Sequence, residues 1–134
     1  AIDLLVRKVL PDGGAALAAV FKRLGGELDA PADAPVLAGM RRLRAATALL
    51  SEAATRDAQS PYRVAGDYLR ATALLLIGWA WARIARVPAA RDARWQTPAE
   101  AFRRWIWPEF DMRINMLEAE AQSTLHALTE SQPA

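Results

Sequence analysis

His126 is the only histidine of the chain, and cysteine is absent. A helical metal site needs ligands one turn from one another. The neighbours of His126 at three and four residues are Ser123, Gln122, Thr129 and Glu130. One carboxylate among them is too few, so His126 reads as an ordinary surface histidine. The lack of cysteine excludes disulfides, zinc–thiolate sites and thiol chemistry together. Glu118 and Glu120 stand two apart and face different sides of a helix, so they do not form an acid–base pair. "PDGGAAL" and "GGELDA" have no preceding strand and no phosphate-loop pattern, and both read as helix punctuation. "RRWIW" at 103–107 mixes bases with aromatics, as membrane-surface and single-strand binders do. Trp105 and Trp107 nevertheless lie on different helical faces, and Glu109 and Asp111 oppose the bases. That stretch is expected to pack at a helix–helix or domain contact. No catalytic, cofactor-binding or metal-binding residue is supported by its spacing.

The elements are helical nearly throughout. "AIDLLVRKVL" sets Ile2, Leu5, Val6 and Val9 on one face and is stopped by Pro11 and Gly13. Asp12 is placed to cap a second helix, with the stripe Leu17, Val20, Phe21, Leu24 and an end at Gly25–Gly26. A third helix repeats Val36, Met40, Leu43, Thr47, Leu50 and Ala54 in four-three alternation, with Arg41, Arg42, Arg44 and Arg56 mostly off that seam. Ser60–Pro61 reads as a capping hydroxyl followed by proline at the first helical position. The fourth helix is expected over about 61–87, apolar all round at its middle and therefore surrounded by other helices. Gly78 lies inside it, and close approach of a neighbouring helix is the expected reason. Thr97, Pro98 and Glu100 resemble a capping box. From there the stripe Phe102, Ile106, Phe110, Ile114, Leu117, Ala121, Leu125, Leu128 predicts one C-terminal helix over about 98–128, kinked near Trp107 by Pro108. The expected fold class is all-α: a helical bundle of four to five main helices in a single domain spanning 1–134.

Composition narrows the setting. Ala71 to Ala82 holds nothing more polar than threonine, yet Arg70 and Arg83 close it after twelve residues, and a membrane span needs about 20. The first ten residues carry charge at Asp3, Arg7 and Lys8 and lack a cleavage-site pattern. A soluble, cytoplasmic chain without a membrane span is expected. The formal charge of +2 is too balanced to argue for nucleic acid. Thirty alanines, and fifteen arginines among seventeen bases, read as genome bias with high helix propensity. Locally, residues 63–104 hold eight arginines against three acids, whereas 109–130 hold five acids against one arginine. Two readings stand level: complementary surfaces between protomers or domains, or helices neutralising each other inside the bundle.

The chain starts at Ala1, already inside an apolar helical pattern, which fits a piece of a longer protein. "AIDLLVRKVL" followed by "DGG", through Ile2, Asp3, Leu4, Arg7 and Lys8, resembles the segment that follows the Gly-Ile-Gln flavin turn of acyl-CoA dehydrogenases. "AGDYLRATALLLIGWAWARIA" is similar to the signature helix of a C-terminal helical domain in one branch of that family, at Ala65, Gly66, Tyr68, Leu69, Gly78 and Trp79. "AFRRWIWPEF" falls where that branch has an aromatic helix ending in leucine-proline. The branch often has glycine near Thr72–Ala73 and leucine where Trp107 stands.

The resemblance covers nearly the whole chain. It implies a parent enzyme that uses FAD to introduce an α,β double bond into an acyl-CoA, with its catalytic glutamate and flavin turn upstream of Ala1. This segment would be the structural, interface-forming part. Its partners would be the catalytic body of the parent and a second subunit, most simply in a homodimer, with no metal and no flavin of its own. A further expectation is that Ile2, Leu5 and Val9 of the first helix are its most exposed apolar surface. The competing class is a stand-alone all-α ligand-binding or dimerisation module, such as half of a transcription regulator.

Overall fold

A computed structural model describes the backbone of residues 1–130 and the side chains of residues 1–127. Leu128 of the predicted stripe and the Thr129 and Glu130 side chains near His126 lie outside the described residues. A π-helical segment, Asp3–Val9, and a short 3-10 turn, Leu10–Asp12, open the chain. Six α-helices follow: α1 (Ala15–Gly25), α2 (Ala34–Arg56), α3 (Ser60–Arg63), α4 (Ala65–Ile84), α5 (Ala93–Ala101) and α6 (Pro108–Glu130). A π-turn, Phe102–Ile106, joins α5 to α6. No strand occurs among the described residues, and the all-α bundle read from the sequence is what the chain forms.

The centre is a three-helix layer of α2, α4 and α6, in which α6 packs against both of the others. Thr47 meets Tyr68, and Gly39 faces Leu75, so α2 and α4 run antiparallel. Ion pairs Arg70–Glu109, Asp67–Arg113 and Arg63–Glu120 set α6 antiparallel to α3 and α4. Leu43, Leu50, Tyr68, Leu75, Phe110, Ile114 and Leu117 fill the core between them. The α2 seam is Val36, Met40, Leu43, Thr47, Leu50 as the alternation predicts, but Ala53 closes it in place of Ala54.

Several boundaries differ from the sequence reading, each for a local reason. The Asp12 carboxylate accepts hydrogen bonds from the Gly14 and Ala16 N–H groups at 2.9 and 3.0 Å, so it does cap the start of α1. Gly14 holds φ of 84° there, and a Cβ on it would lie 2.7 Å from Thr47 Cγ2. The expected 61–87 helix is interrupted: Val64, at φ −118° and ψ 13°, separates α3 from α4, and α4 ends at Ile84. Ser60 is not a cap. It is fully buried inside the first turn of α3, where its hydroxyl accepts from Thr124 at 3.2 Å. Thr97 is not a cap either. Asp92 starts α5 by accepting from the Arg94 N–H at 3.0 Å, and Pro98 lies within the helix.

The first helix is also more buried than expected. Leu5 and Val9 are inside the core, and only Ile2 of the three named residues is exposed. The middle of α4, in contrast, is less buried than expected. Ala71, Thr72, Leu74, Leu75 and Gly78 face inward, while Leu76 and Ile77 are exposed to 41 and 45 %. The run is apolar all round, so its composition cannot say which side the bundle covers, and only one side is covered.

Candidate functional site

The long C-terminal element explains how the first of two candidate surfaces, a cavity beside Trp107, arises. The stripe Phe102, Ile106, Phe110 assumes regular α spacing. The Trp107 N–H instead bonds to the Phe102 carbonyl at 2.8 Å, five residues back, and this closes a π-turn. The extra residue rotates Ile106 outward, to 44 % exposure, and brings Trp107 inward. The bend near Trp107 therefore combines a π-turn with Pro108.

Trp107 stacks on Phe110 at 5.0 Å with the rings 7° from parallel. Its edge reaches α4 at Gly78, where an added Cβ would sit 2.9 Å from the Trp107 ring. That is the close approach expected for this glycine. Trp107, Phe102 and Trp81 then line one side of a cavity of about 570 Å3. Trp81 lies 6.4 Å from Phe102, and Phe102 lies 6.3 Å from Trp107, tilted by 35 and 49°. Pro35, Val36, Ala82 and Ala85 line it further, and its charged residues are Asp33 and Arg103. The Asp33 carboxylate is buried and accepts from Arg86 at 2.7 Å and from the Ala30 N–H at 3.0 Å. Arg103 makes no ion pair among the described residues.

The second surface is the outer side of α4. Leu69, Ala73, Leu76 and Ala80 follow one another at four, three and four residues, the spacing of a helix-pairing seam. Leu69 is 43 % exposed, and Ala73 and Ala80 are half-buried. On the C-terminal element, Trp105 is 72 % exposed under the Arg104 guanidinium, 4.9 Å from its ring centre, and Met112 and Met116 are exposed as well. "RRWIW" thus splits: Trp107 packs inward, and Trp105 does not.

The other sequence candidates are accounted for by pairing. Glu118 faces Arg42 on α2 at 3.6 Å, and Glu120 accepts from Arg63 at 2.6 Å, so they do look to different sides. Asp111 takes Arg42 at 2.7 Å. Glu109 accepts from Arg70 at 2.8 Å and Arg113 at 3.1 Å, and the Arg70 hydrogen bond, above all, holds its carboxyl down to about 2. The acids of 109–120 are therefore spent on arginines of the same chain. Of the two readings of the charge split, internal neutralisation is the one the bundle displays. His126 is exposed on α6, and no group of His, Asp and Glu able to hold a metal exists among the described residues. No described helix is long and apolar enough to cross a membrane.

Sequence reasoning missed both the cavity and the open face of α4. The cavity depends on the one-residue shift of the π-turn, for which Pro108 was the available signal. In comparisons with known proteins, no family model, no curated protein and no solved structure matches the chain.

Proposed function

We propose that this chain is a non-catalytic interface domain whose outer α4 face is covered by a larger protein body. The observation that carries this reading is the exposed row Leu69, Leu76 and Ile77, flanked by half-buried Ala73 and Ala80. Apolar patches of more than several hundred Å2 rarely stay open on a monomer. Alanines alternating with leucines let a second helix approach closely. The sequence resemblance supplies the candidate parent: an FAD-dependent acyl-CoA dehydrogenase, with this bundle against its catalytic body or a second subunit. The internal pairing of the charges supports an apolar rather than an electrostatic contact.

The test has two arms. The complete reading frame that encodes this chain, expressed and purified, is expected to be yellow and to reduce an artificial acceptor with an acyl-CoA; the 134-residue chain alone should be colourless and inactive. A full-length product without flavin sinks the choice of parent. Sedimentation of the isolated chain with and without Leu76→Lys tests the face itself. Self-association abolished by that change supports it, and a monomer in both forms at every concentration removes it. A stand-alone ligand-binding module is the second reading, favoured by the aromatic cavity between α2, α4 and the π-turn.

A further inference from the structure

We infer that the cavity between α2, α4 and the π-turn is a binding site for a planar aromatic carboxylate. The proposal holds whether the chain works inside a larger enzyme or alone, so its failure leaves the interface reading standing.

Size is the first argument. At about 570 Å3 the space lies within the roughly 300–1,000 Å3 of small-molecule sites, which pair apolar walls with a few polar groups. Shape is the second. Trp81, Phe102 and Trp107 follow one another with tilted neighbours at 6.4 and 6.3 Å, and the other apolar lining residues, among them Val36, Ala82 and Ala85, are small. A flat ring can lie against such a wall in the offset or edge-on contacts aromatics favour. The wall is also held in place. Trp107 is backed by Phe110 on one face and locked against Gly78 at its edge. Little ordering is left for a guest to impose.

Charge selects the guest. An aromatic box can also receive a cation, but the acid that would assist one here, the buried Asp33 carboxylate, already accepts from Arg86 and from the Ala30 N–H. The uncompensated charge lining the cavity is Arg103, whose guanidinium matches a carboxylate through two parallel N–H donors. The arginines along α4 and just beyond it are paired: Arg70 with Glu109, Arg83 with Glu27, Arg86 with Asp29 and Asp33. Arg103 is left to meet an anion from outside.

Three probes of one shape decide the matter: 2-naphthoate, 2-naphthylmethanol and 2-naphthylmethylammonium, titrated into the intact chain by calorimetry and by amide and indole NMR. Naphthoate should bind saturably at one site, at least about tenfold more tightly than the alcohol, as a charge-assisted hydrogen bond implies. The indole N–H signals of Trp81 and Trp107 should move while that of Trp95 stays. Arg103→Gln, at an exposed side chain that the fold does not use, should reduce naphthoate to the affinity of the alcohol. Ala82→Phe should fill the space and abolish binding of both. Absence of saturable naphthoate binding overturns the proposal. So does naphthoate affinity unchanged by Arg103→Gln, or the ammonium binding as tightly as the carboxylate. Should Ala82→Phe fail to fold, Arg103→Gln and the indole signals still decide.

Discussion

Leu75 and Ile77 stand two residues apart in one apolar run, and an aspartate at each should have opposite results. Sequence alone expects both changes to prevent soluble expression. Leu75 is fully buried, and its Cδ2 lies only 2.8 Å from where a Cβ on Gly39 would stand, so no slack exists around it. Removing such a leucine costs about 2–5 kcal/mol. An unpaired carboxylate left in its place adds several more, against a total stability of about 5–15 kcal/mol for a domain. Leu75→Asp should therefore not fold. Ile77 is 45 % exposed. About half of an isoleucine's transfer energy is at stake there, about 1 kcal/mol, and the new carboxylate reaches water. Ile77→Asp should be soluble in the isolated chain, with helical circular dichroism and a melting temperature lowered by a few degrees. Thermal melts at low micromolar concentration read the difference. If Leu75→Asp melts like the parent, the inward face of α4 is wrongly assigned. If Ile77→Asp is lost as completely as Leu75→Asp, the outer face is covered even in the isolated chain.

Two further outcomes follow from titratable groups. Burial pushes the Tyr68 hydroxyl up to about 12, with the Thr47 hydrogen bond opposing; a raised folded-state value means stability present below the ordinary tyrosine range near 10 and lost as pH rises from there. Tyr68→Phe should remove that alkaline loss in melts above about pH 10 and cost about 1 kcal/mol at neutral pH, because Thr47 still donates to the Leu43 carbonyl; an unchanged alkaline slope refutes the assignment. The Glu109 carboxyl is held down to about 2, first by Arg70 and then by Arg113; stability is present above the ordinary value of 4.5 and lost as pH falls from there toward 2. Glu109→Gln should flatten melts across that window, and a slope identical to the parent's would show that the pair contributes nothing.

The parts of the fold that were legible in the sequence are those where amphipathicity or capping is local. The α2 seam, the Asp12 cap and the glycine stop of α1 all depend on residues within a turn or two, whereas at Gly78 the sequence signals only that something approaches, and Trp107 on a distant element is what does. The misread parts depend on the partner helices. The middle of α4 is equally apolar on every side, so nothing in it distinguishes Leu75 from Ile77. Ser60–Pro61 has the chemistry of a cap, but Thr124 on a distant helix takes the hydroxyl instead. Thr97 matches the capping box, yet Asp92 begins the helix a turn earlier. The stripe through Ile106 fails because it assumes a constant residue count per turn. The candidate cavity depends on the same failure, since Trp107 walls it only by virtue of the π-turn.

That turn has a consequence at the level of the gene. Phe102 and Trp107 face inward five residues apart, whereas four residues of α-helix cover nearly the same rotation and rise. Loss of one codon within 103–106 would leave both aromatics facing inward and would keep Ile114, Leu117 and Ala121 on the core. Loss of one codon beyond Trp107 would instead swing that face by about 100° into water. Residues 103–106 are thus the one stretch of the long C-terminal element where the chain can shorten by a residue and keep its packing. Trp105 stands there, the most exposed large apolar side chain among the described residues, at a position the bundle can spare. A change there is therefore expected to alter what the surface can meet and to leave the stability of the fold nearly untouched.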